Sequence, residues 1–304
     1  MTEPHRTILV PLDGSDFAER ALAPALALAT RSGGTLHLVS AVSTFPIFQP
    51  SDRYRDETPG WFAEEGVRTQ GYLQKIKARI VADAPGQAVE IHAPTGRPAA
   101  RILQAIKDLE ADLIVMSTHG RGALARLWVG SVADQVMREA TCPVLLIPSA
   151  ERVEFSTSIL VPMDGSEGAE AALDEAVRLA TLWESRLTLA TVIPRPQSVA
   201  VPYLDLSAET ERMRMDREEE MRTYLEKMAA PLQGEGLRVD TMTSRADEVA
   251  PGLVRLAEQS RSGLVVMGTQ GRGGVARFLL GSVAARMVRS STIPVLLVPP
   301  RVQE

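Results

Sequence analysis

The sequence predicts an α/β chain made of two tandem open twisted domains, each a five-stranded parallel sheet with helices on both faces. Three observations carry that expectation. The stretch from Ile8 to Ser15, I-L-V-P-L-D-G-S, returns from Ile159 to Ser166 as I-L-V-P-M-D-G-S. The Gly-rich run Met116 to Val132 returns from Met267 to Val283, and the closing run Cys142 to Pro148 returns from Ile293 to Pro299, each 151 residues on. A constant offset at three separated landmarks means one domain copied in tandem with no net insertion, and two copies do not make a solenoid. Second, short apolar runs alternate with helical patterns, which favours parallel strands joined by right-handed crossovers. Third, runs such as L-I-V-M (Leu113 to Met116) and V-L-L-I (Val144 to Ile147) suit strands buried on both faces. The expected domains are residues 1–150 and 151–304, close to the ordinary size of about 150 residues each.

In the first half, Thr7 to Pro11 reads as a strand. Asp13-Gly14-Ser15 follows, with a carboxylate, a glycine and an N-cap ahead of an Ala-rich helix from about Phe17 to Ser32. Gly33-Gly34 ends that helix, and Leu36 to Val42 reads as the second strand. Ser43 to Pro59 turns to Pro, Phe, Ser and mixed charge and reads as an irregular excursion. Trp61 to Ala84 has helical spacing, Pro85-Gly86 breaks it, and Ala88 to Ala93 makes a third strand. Pro98 suits the first turn of a helix running to about Leu109, since an N–H there has no partner to lose. Asp112 to Ser117 contains the fourth strand, a glycine loop follows, a helix begins near Gly130, and Cys142 to Pro148 closes the unit.

Ser149 to Thr157, mixed in charge and without an apolar period, reads as the linker. The second half repeats the order, with strands at Ile159 to Pro162, Leu187 to Val192, Leu237 to Thr243, Leu264 to Met267 and Pro294 to Val298. Its long helical stretch, Ala208 to Met228, is densely charged and reads as a solvated helix with one packed face; mixed acid and base argue against a membrane helix.

Composition bounds the function. Hydrophobic residues make up 45% and charged residues 23% of the 304, which is ordinary for a globular chain. A net charge of −5 gives no electrostatic reason to expect nucleic acid. The single cysteine, Cys142, rules out an intrachain disulfide and fits a reducing compartment. The N-terminus lacks a long apolar stretch and no run reaches the ~18 apolar residues of a span, so a cytoplasmic protein without membrane insertion is expected.

The chemistry sits in the glycine loops. Gly120, Gly130 and Ser131, with Gly271, Gly281 and Ser282, are candidates for a phosphate cradle, because glycine lets backbone N–H groups crowd round an anion and a helix N-terminus adds unpaired donors. Arg121 and Arg272 stand where they could add charge, or be solvated loop arginines. In open parallel sheets a ligand sits beyond the strand C-termini where the strand order reverses, so Asp13 and Asp164 would meet those loops if the first and fourth strands flank that point. An aspartate at a strand end often only caps a turn; its recurrence opposite both glycine loops favours a role toward ribose hydroxyls or an ion.

The spacing G-x2-G-x9-G-S, carried by Gly268, Gly271, Gly281 and Ser282 between a strand ending V-M and the closing P-V-L-L-V-P, resembles the nucleotide-binding signature of the universal stress protein family. The P-M-D-G-S opening resembles it too, and the likeness covers nearly the whole chain twice. It implies a strand order of 3-2-1-4-5 and an adenine nucleotide, usually ATP with a divalent ion such as Mg²⁺. It assigns Asp164 and Val192 to the adenosine, Gly268 to the ribose, and Gly271, Arg272, Gly281, Ser282 and Val283 to the phosphates. Asp13, Val42, Gly120, Arg121, Gly130, Ser131 and Val132 are the first-half equivalents; Ser117 departs, standing where the family has its first glycine. The resemblance also implies pairing of the two halves through their fifth strands. Association into a homodimer stays open.

Other classes fit less well. A Rossmann site places its glycines after the first strand, and a Walker loop needs G-K-[ST]. The histidines His5, His37, His92 and His119 show no H-E-x-x-H or cysteine pairing, so a built metal site is not expected. No nucleophile–base pair can be read, so no catalytic residue is assigned. The expectation is a nucleotide-binding stress-response module acting through conformation or partner binding. A slow ATP-hydrolysing or adenylating enzyme and a nucleotide-independent interaction module remain as alternatives.

Overall fold

The computed structural model of the chain describes residues 5–42, 58–118, 129–148, 158–194, 207–271 and 280–300. The expected excursion through residue 57, the linker and loop residues His119, Gly120, Arg121 and Arg272 lie outside them. The chain divides into two compact units, Met1–Glu151 and Arg152–Glu304.

The first unit contains β1 (Thr7–Pro11), α1 (Asp16–Glu19), α2 (Leu22–Ser32), β2 (Thr35–Val39), α3 (Thr58–Asp83), β3 (Val89–His92), α4 (Pro98–Asp108), β4 (Leu113–Ser117), α5 (Ser131–Glu139) and β5 (Val144–Ile147). Its strands lie in the order β3-β2-β1-β4-β5. Every pairing in that run is parallel. Thus β1 has β2 on one side and β4 on the other, which is where the order reverses. The core follows the apolar runs: Ile8, Leu9, Leu36, Leu38 and Ile114 are completely buried. Each such side chain contributes about 1.5–3 kcal/mol by leaving water. Helix α3 adds Leu73, Ile76 and Ile80, spaced to share one face.

The helix expected from Phe17 to Ser32 is in fact two. Pro24 has no N–H to bond the carbonyl of Arg20, and the chain closes tighter turns there, with Arg20 N donating to Phe17 O and Ala21 N to Ala18 O. Helix α2 then starts afresh and ends at Gly33, whose φ of 66° suits a residue without a Cβ. The next glycine is fixed by close approach: a Cβ on Gly34 would lie 2.7 Å from the His5 carbonyl oxygen.

Asp112, just ahead of β4, ties down the entry to β1. Its Oδ2 accepts from Arg6 N at 2.7 Å and from Thr7 N at 3.2 Å, and His5 Nδ1 stands 3.4 Å from Oδ1. Burial alone would raise this carboxyl, but the His5 ring and the two N–H donors outweigh it and hold it below the ordinary 3.8. A carboxyl depressed in the folded state contributes stability that is fully present above its unfolded value and lost as pH falls through the folded one. Asp112→Asn is therefore expected to flatten the acid loss of the first unit's stability, read by urea melts from about pH 5 to pH 2. An unchanged acid limb would remove Asp112 from that role.

Two other titratable groups in this unit are shifted by burial. His37 on β2 is held below the ordinary 6.5 by desolvation, against the pull of Glu90. The Cys142 thiol is pushed up to about 12, first by desolvation and then by Asp112, so it is packed and not nucleophilic.

The second unit contains β6 (Ser158–Pro162), α6 (Glu167–Trp183), β7 (Arg186–Pro194), α7 (Ser207–Gly234), β8 (Val239–Ala246), α8 (Val249–Gln259), β9 (Leu264–Gly268), α9 (Ser282–Ser290) and β10 (Val295–Val298). Within this unit the order is β8-β7-β6-β9-β10, which corresponds to 3-2-1-4-5. All of its pairings are parallel. Helix α6 runs unbroken because Glu175, which has an N–H, stands where Pro24 stands in the first unit. Helix α7 buries Met221, Leu225 and Ala229 along one stripe, while Met213 and Met215 are exposed. No helix among the described residues is long and apolar enough to cross a membrane.

Candidate functional site

A cavity of about 940 Å³ opens in the second unit beyond the C-terminal ends of β6, β7 and β9. That position is the switch point of the sheet, and the volume is that of a pocket for a small ligand. Its wall brings together Asp164, Val192, Gly268, Gly271, Gly281, Ser282 and Val283, which are all the second-half site residues read from the sequence apart from Arg272.

The first part of the wall is the turn after β6. Asp164 Oδ1 accepts from Ser166 N at 3.0 Å and from Ser166 Oγ at 2.6 Å. Ser166 Oγ in turn accepts from Ala169 N at 3.2 Å and caps α6. So one oxygen of Asp164 builds the turn, as a capping aspartate does. The other faces the loop: a Cβ on Gly271 would lie 2.9 Å from Asp164 Oδ2.

The second part is the start of α9. Gly281 N donates to Thr269 O at 2.8 Å, which folds the chain back so that α9 begins at the cavity. The first helical bond is Ala285 N to Gly281 O at 2.9 Å. The N–H groups of Ser282, Val283 and Ala284 precede it, and all three residues line the cavity. A Cβ on Gly281 would meet Thr269 O at 3.2 Å, and one on Gly268 would meet Gly168 O at 2.6 Å. At Gly268 backbone approaches backbone too closely for a side chain, and at Gly281 the fit is tight; the cavity gains N–H donors and the positive end of a helix.

Sequence reasoning missed several wall residues. Arg214, Arg217 and Met221 reach the cavity from α7. Arg214 pairs with Glu211, and Arg217 Nη1 lies 2.6 Å from Glu220 Oε2. On the charged helix they read as solvent-facing residues, and only the packing of Met221 and Leu225 turns that side inward. Behind the wall, Gly252 on α8 was also missed: a Cβ there would lie 2.8 Å from Val192 Cγ1, so the helix packs on Val192 without room for a side chain.

The first unit repeats part of this geometry. Asp13 Oδ1 accepts from Ser15 N at 3.0 Å and from Ser15 Oγ at 2.6 Å. Gly130 N donates to Thr118 O at 2.9 Å, and Ser131 and Val132 open α5. Three features differ. Ser117, 8% exposed, ends β4 where Gly268 ends β9, and Phe17 stands at the place of Gly168. A Cβ on Gly130 would have 3.6 Å to Thr118 O, looser than at Gly281. The equivalence of Val42 with Val192 is corrected by the strand registers: Pro11 pairs with Val39 and Pro162 with Ala190, so Ala41 is the counterpart of Val192 and Val42 that of Ile193. A one-residue shift in an extended segment exchanges its two faces. Val42 is buried and bridges Thr95.

Together these features define an α/β protein of two similar units, each with an Asp-Gly-Ser turn after its first strand and a helix that follows a Gly N-cap after its fourth. The model of the universal stress protein family matches residues 4–148 and 156–299. The chain belongs to that family. A universal stress protein of Mycobacterium tuberculosis is 26% identical over 303 residues, covering 98% of this chain and 99% of its own. A single-domain relative from Thermus aquaticus is 39% identical over 142 residues, or 47% of this chain and 98% of the relative. Among solved structures, a universal stress protein from Archaeoglobus fulgidus matches with a TM-score of 0.71 at 20% identity, over 97% of this chain and 98% of that one; this likeness shows the fold.

Proposed function

We propose that the second unit binds an adenine nucleotide, ATP with Mg²⁺, and that the protein serves the stress response through nucleotide-dependent conformation or partner binding. The observation that carries the reading is the cavity of about 940 Å³ closed on one side by a turn carboxylate and on the other by a glycine-framed helix N-terminus. The wall fits such a group chemically. Asp164 offers an acceptor for ribose hydroxyls, Val192 an apolar face for the base, and the N–H groups at the start of α9 suit phosphate oxygens. Gly268, Gly271 and Gly281 keep backbone close to the ligand. Arg214 and Arg217, each paired with a glutamate of α7, stand on the α7 side as guanidinium donors for the ligand. Mg²⁺ would be held chiefly by phosphate oxygens and water. Arg272, Gly120 and Arg121 keep the phosphate role that the family resemblance gives them.

The first unit is read as a weaker or altered site built on Asp13, Ser117, Gly130, Ser131 and Val132. The single cysteine fits action in the reducing cytoplasm.

Thermal and urea melts of the nucleotide-stripped chain test the reading. ATP with Mg²⁺ at about 100 times its Kd is expected to stabilise the second unit by about 2.7 kcal/mol, with phosphate release close to background. No shift at saturating ATP would contradict the proposal and favour a nucleotide-independent interaction module. Sustained turnover would favour the hydrolytic alternative.

A further inference from the structure

In the first unit β2 and β3 lie side by side, with His37 opposite Glu90 and Val39 opposite His92. Side chains alternate along a strand, so Glu90 and His92 share one face of β3, and His37 faces the same way from β2. His37 Nδ1 stands 3.1 Å from His92 Nε2 and 3.5 Å from Glu90 Oε2, and His92 Nε2 stands 4.0 Å from the same carboxylate oxygen. The two rings are stacked, with centroids 5.3 Å apart.

We propose that His37, Glu90 and His92 form a binding site for a divalent transition-metal ion, Zn²⁺ in particular, with a fourth position open to water. Zn²⁺ bound at about 2.0–2.2 Å in a tetrahedron keeps its ligand atoms about 3.3–3.6 Å apart, and the three separations here bracket that range. Two imidazoles with one carboxylate are a borderline donor set that suits Zn²⁺ over Mg²⁺ or Ca²⁺. Access is graded: the His37 side chain is 9% exposed, His92 29% and Glu90 60%, so an ion enters from the Glu90 side and ends against the buried ring.

The second unit supplies an internal comparison. The corresponding residues, by register, are Thr188, Asp240 and Met242, which lack both imidazoles. There the carboxylate is occupied by an arginine across the strands, Arg186 Nη1 at 2.8 Å from Asp240 Oδ2. In the first unit Thr35 takes the place of that arginine, and the ion-pair partners that the described residues give Glu90 are the two imidazoles. A cation at this spot would do for the first unit what Arg186 does for the second, tying the outermost strand of its order to the next. The metal site that chain spacing did not suggest arises because the ligands come from two strands, with an E-x-H pair on one and, on the other, a histidine 55 residues before His92.

The test uses the full-length, untagged, chelator-stripped chain, titrated with Zn²⁺ against a chromophoric chelator and with Co²⁺ as a spectroscopic probe. One Zn²⁺ per chain and a tetrahedral Co²⁺ spectrum are expected, together with a rise in the melting temperature of the first unit. Glu90→Gln and His92→Ala, both at partly open positions, are expected to weaken binding by at least about tenfold, the smallest effect seen when even a group behind a ligand is lost. Both variants should match the parent's circular dichroism without metal. No Zn²⁺ uptake by the parent, or the same uptake by parent and both variants, would overturn the proposal and leave a histidine pair joined by a hydrogen bond.

Discussion

Gly268→Ser is expected to cost the second unit at least about 100-fold in ATP affinity, roughly 2.7 kcal/mol. The variant writes into β9 the residue that β4 carries at Ser117. A Cβ at position 268 would stand 2.6 Å from the oxygen and 2.8 Å from the carbon of the Gly168 carbonyl. Backbone atoms cannot rotate aside as a side-chain end does, so the first turn of α6 must shift away from the loop. Ser166 and Asp164 shift with it, and these residues form the opposite wall of the cavity. Overpacking of this kind costs about 1–3 kcal/mol of stability, so urea melts should accompany calorimetry to confirm that the unit stays folded. In the first unit the serine coexists with Phe17 and with a helix broken at Pro24. Ser117→Gly alone is therefore expected to change stability by no more than about 1 kcal/mol. Parental ATP affinity in a folded Gly268→Ser variant would show that this close approach does not frame the site.

The second large effect is expected at Asp164, where two substitutions separate its two oxygens. Asp164→Ala removes the acceptor of both Ser166 bonds, loosening the N-cap of α6; about 1 kcal/mol of stability should go with it. Nucleotide affinity should fall by about 10–100-fold, the size of a lost hydrogen bond to a charged group together with the disturbed turn. Asp164→Asn keeps a carbonyl oxygen for Ser166 but removes the charge beside Gly271. It should hold most of the stability and still weaken binding of ATP with Mg²⁺. Equal affinities in parent, Asn and Ala chains would reduce Asp164 to a turn-former.

Much of this architecture is legible in the residues because local and global signals agree. Thr7–Pro11 and the start of the helix at Pro98 fall where the pattern puts them, since an apolar run and a first-turn proline leave little choice. The break at Pro24 was hidden by apolar spacing that continues across it. Strands β7 and β8 run to Pro194 and Ala246, further than the expected ends at Val192 and Thr243, because pairing carries Ser244, Arg245 and Ala246 along as a ladder. The aspartate turns and glycines stand out because they occur twice. Arg214 and Arg217 do not, nor does Gly252 behind Val192, since their placement depends on how helices pack, which leaves no period in the sequence. The His37–Glu90–His92 cluster was missed for a related reason: its contacts run across a sheet.

The most direct measurement is calorimetric titration of ATP with Mg²⁺ into the nucleotide-free parent, Gly281→Val and Gly130→Val chains, each checked for folding. A Cβ has 3.2 Å to the Thr269 oxygen at Gly281 and 3.6 Å to the Thr118 oxygen at Gly130. A binding event is expected in the parent that Gly281→Val removes and Gly130→Val leaves in place. Undiminished binding in folded Gly281→Val, or no binding in the parent, would contradict the assignment of the second-unit cavity as the nucleotide site.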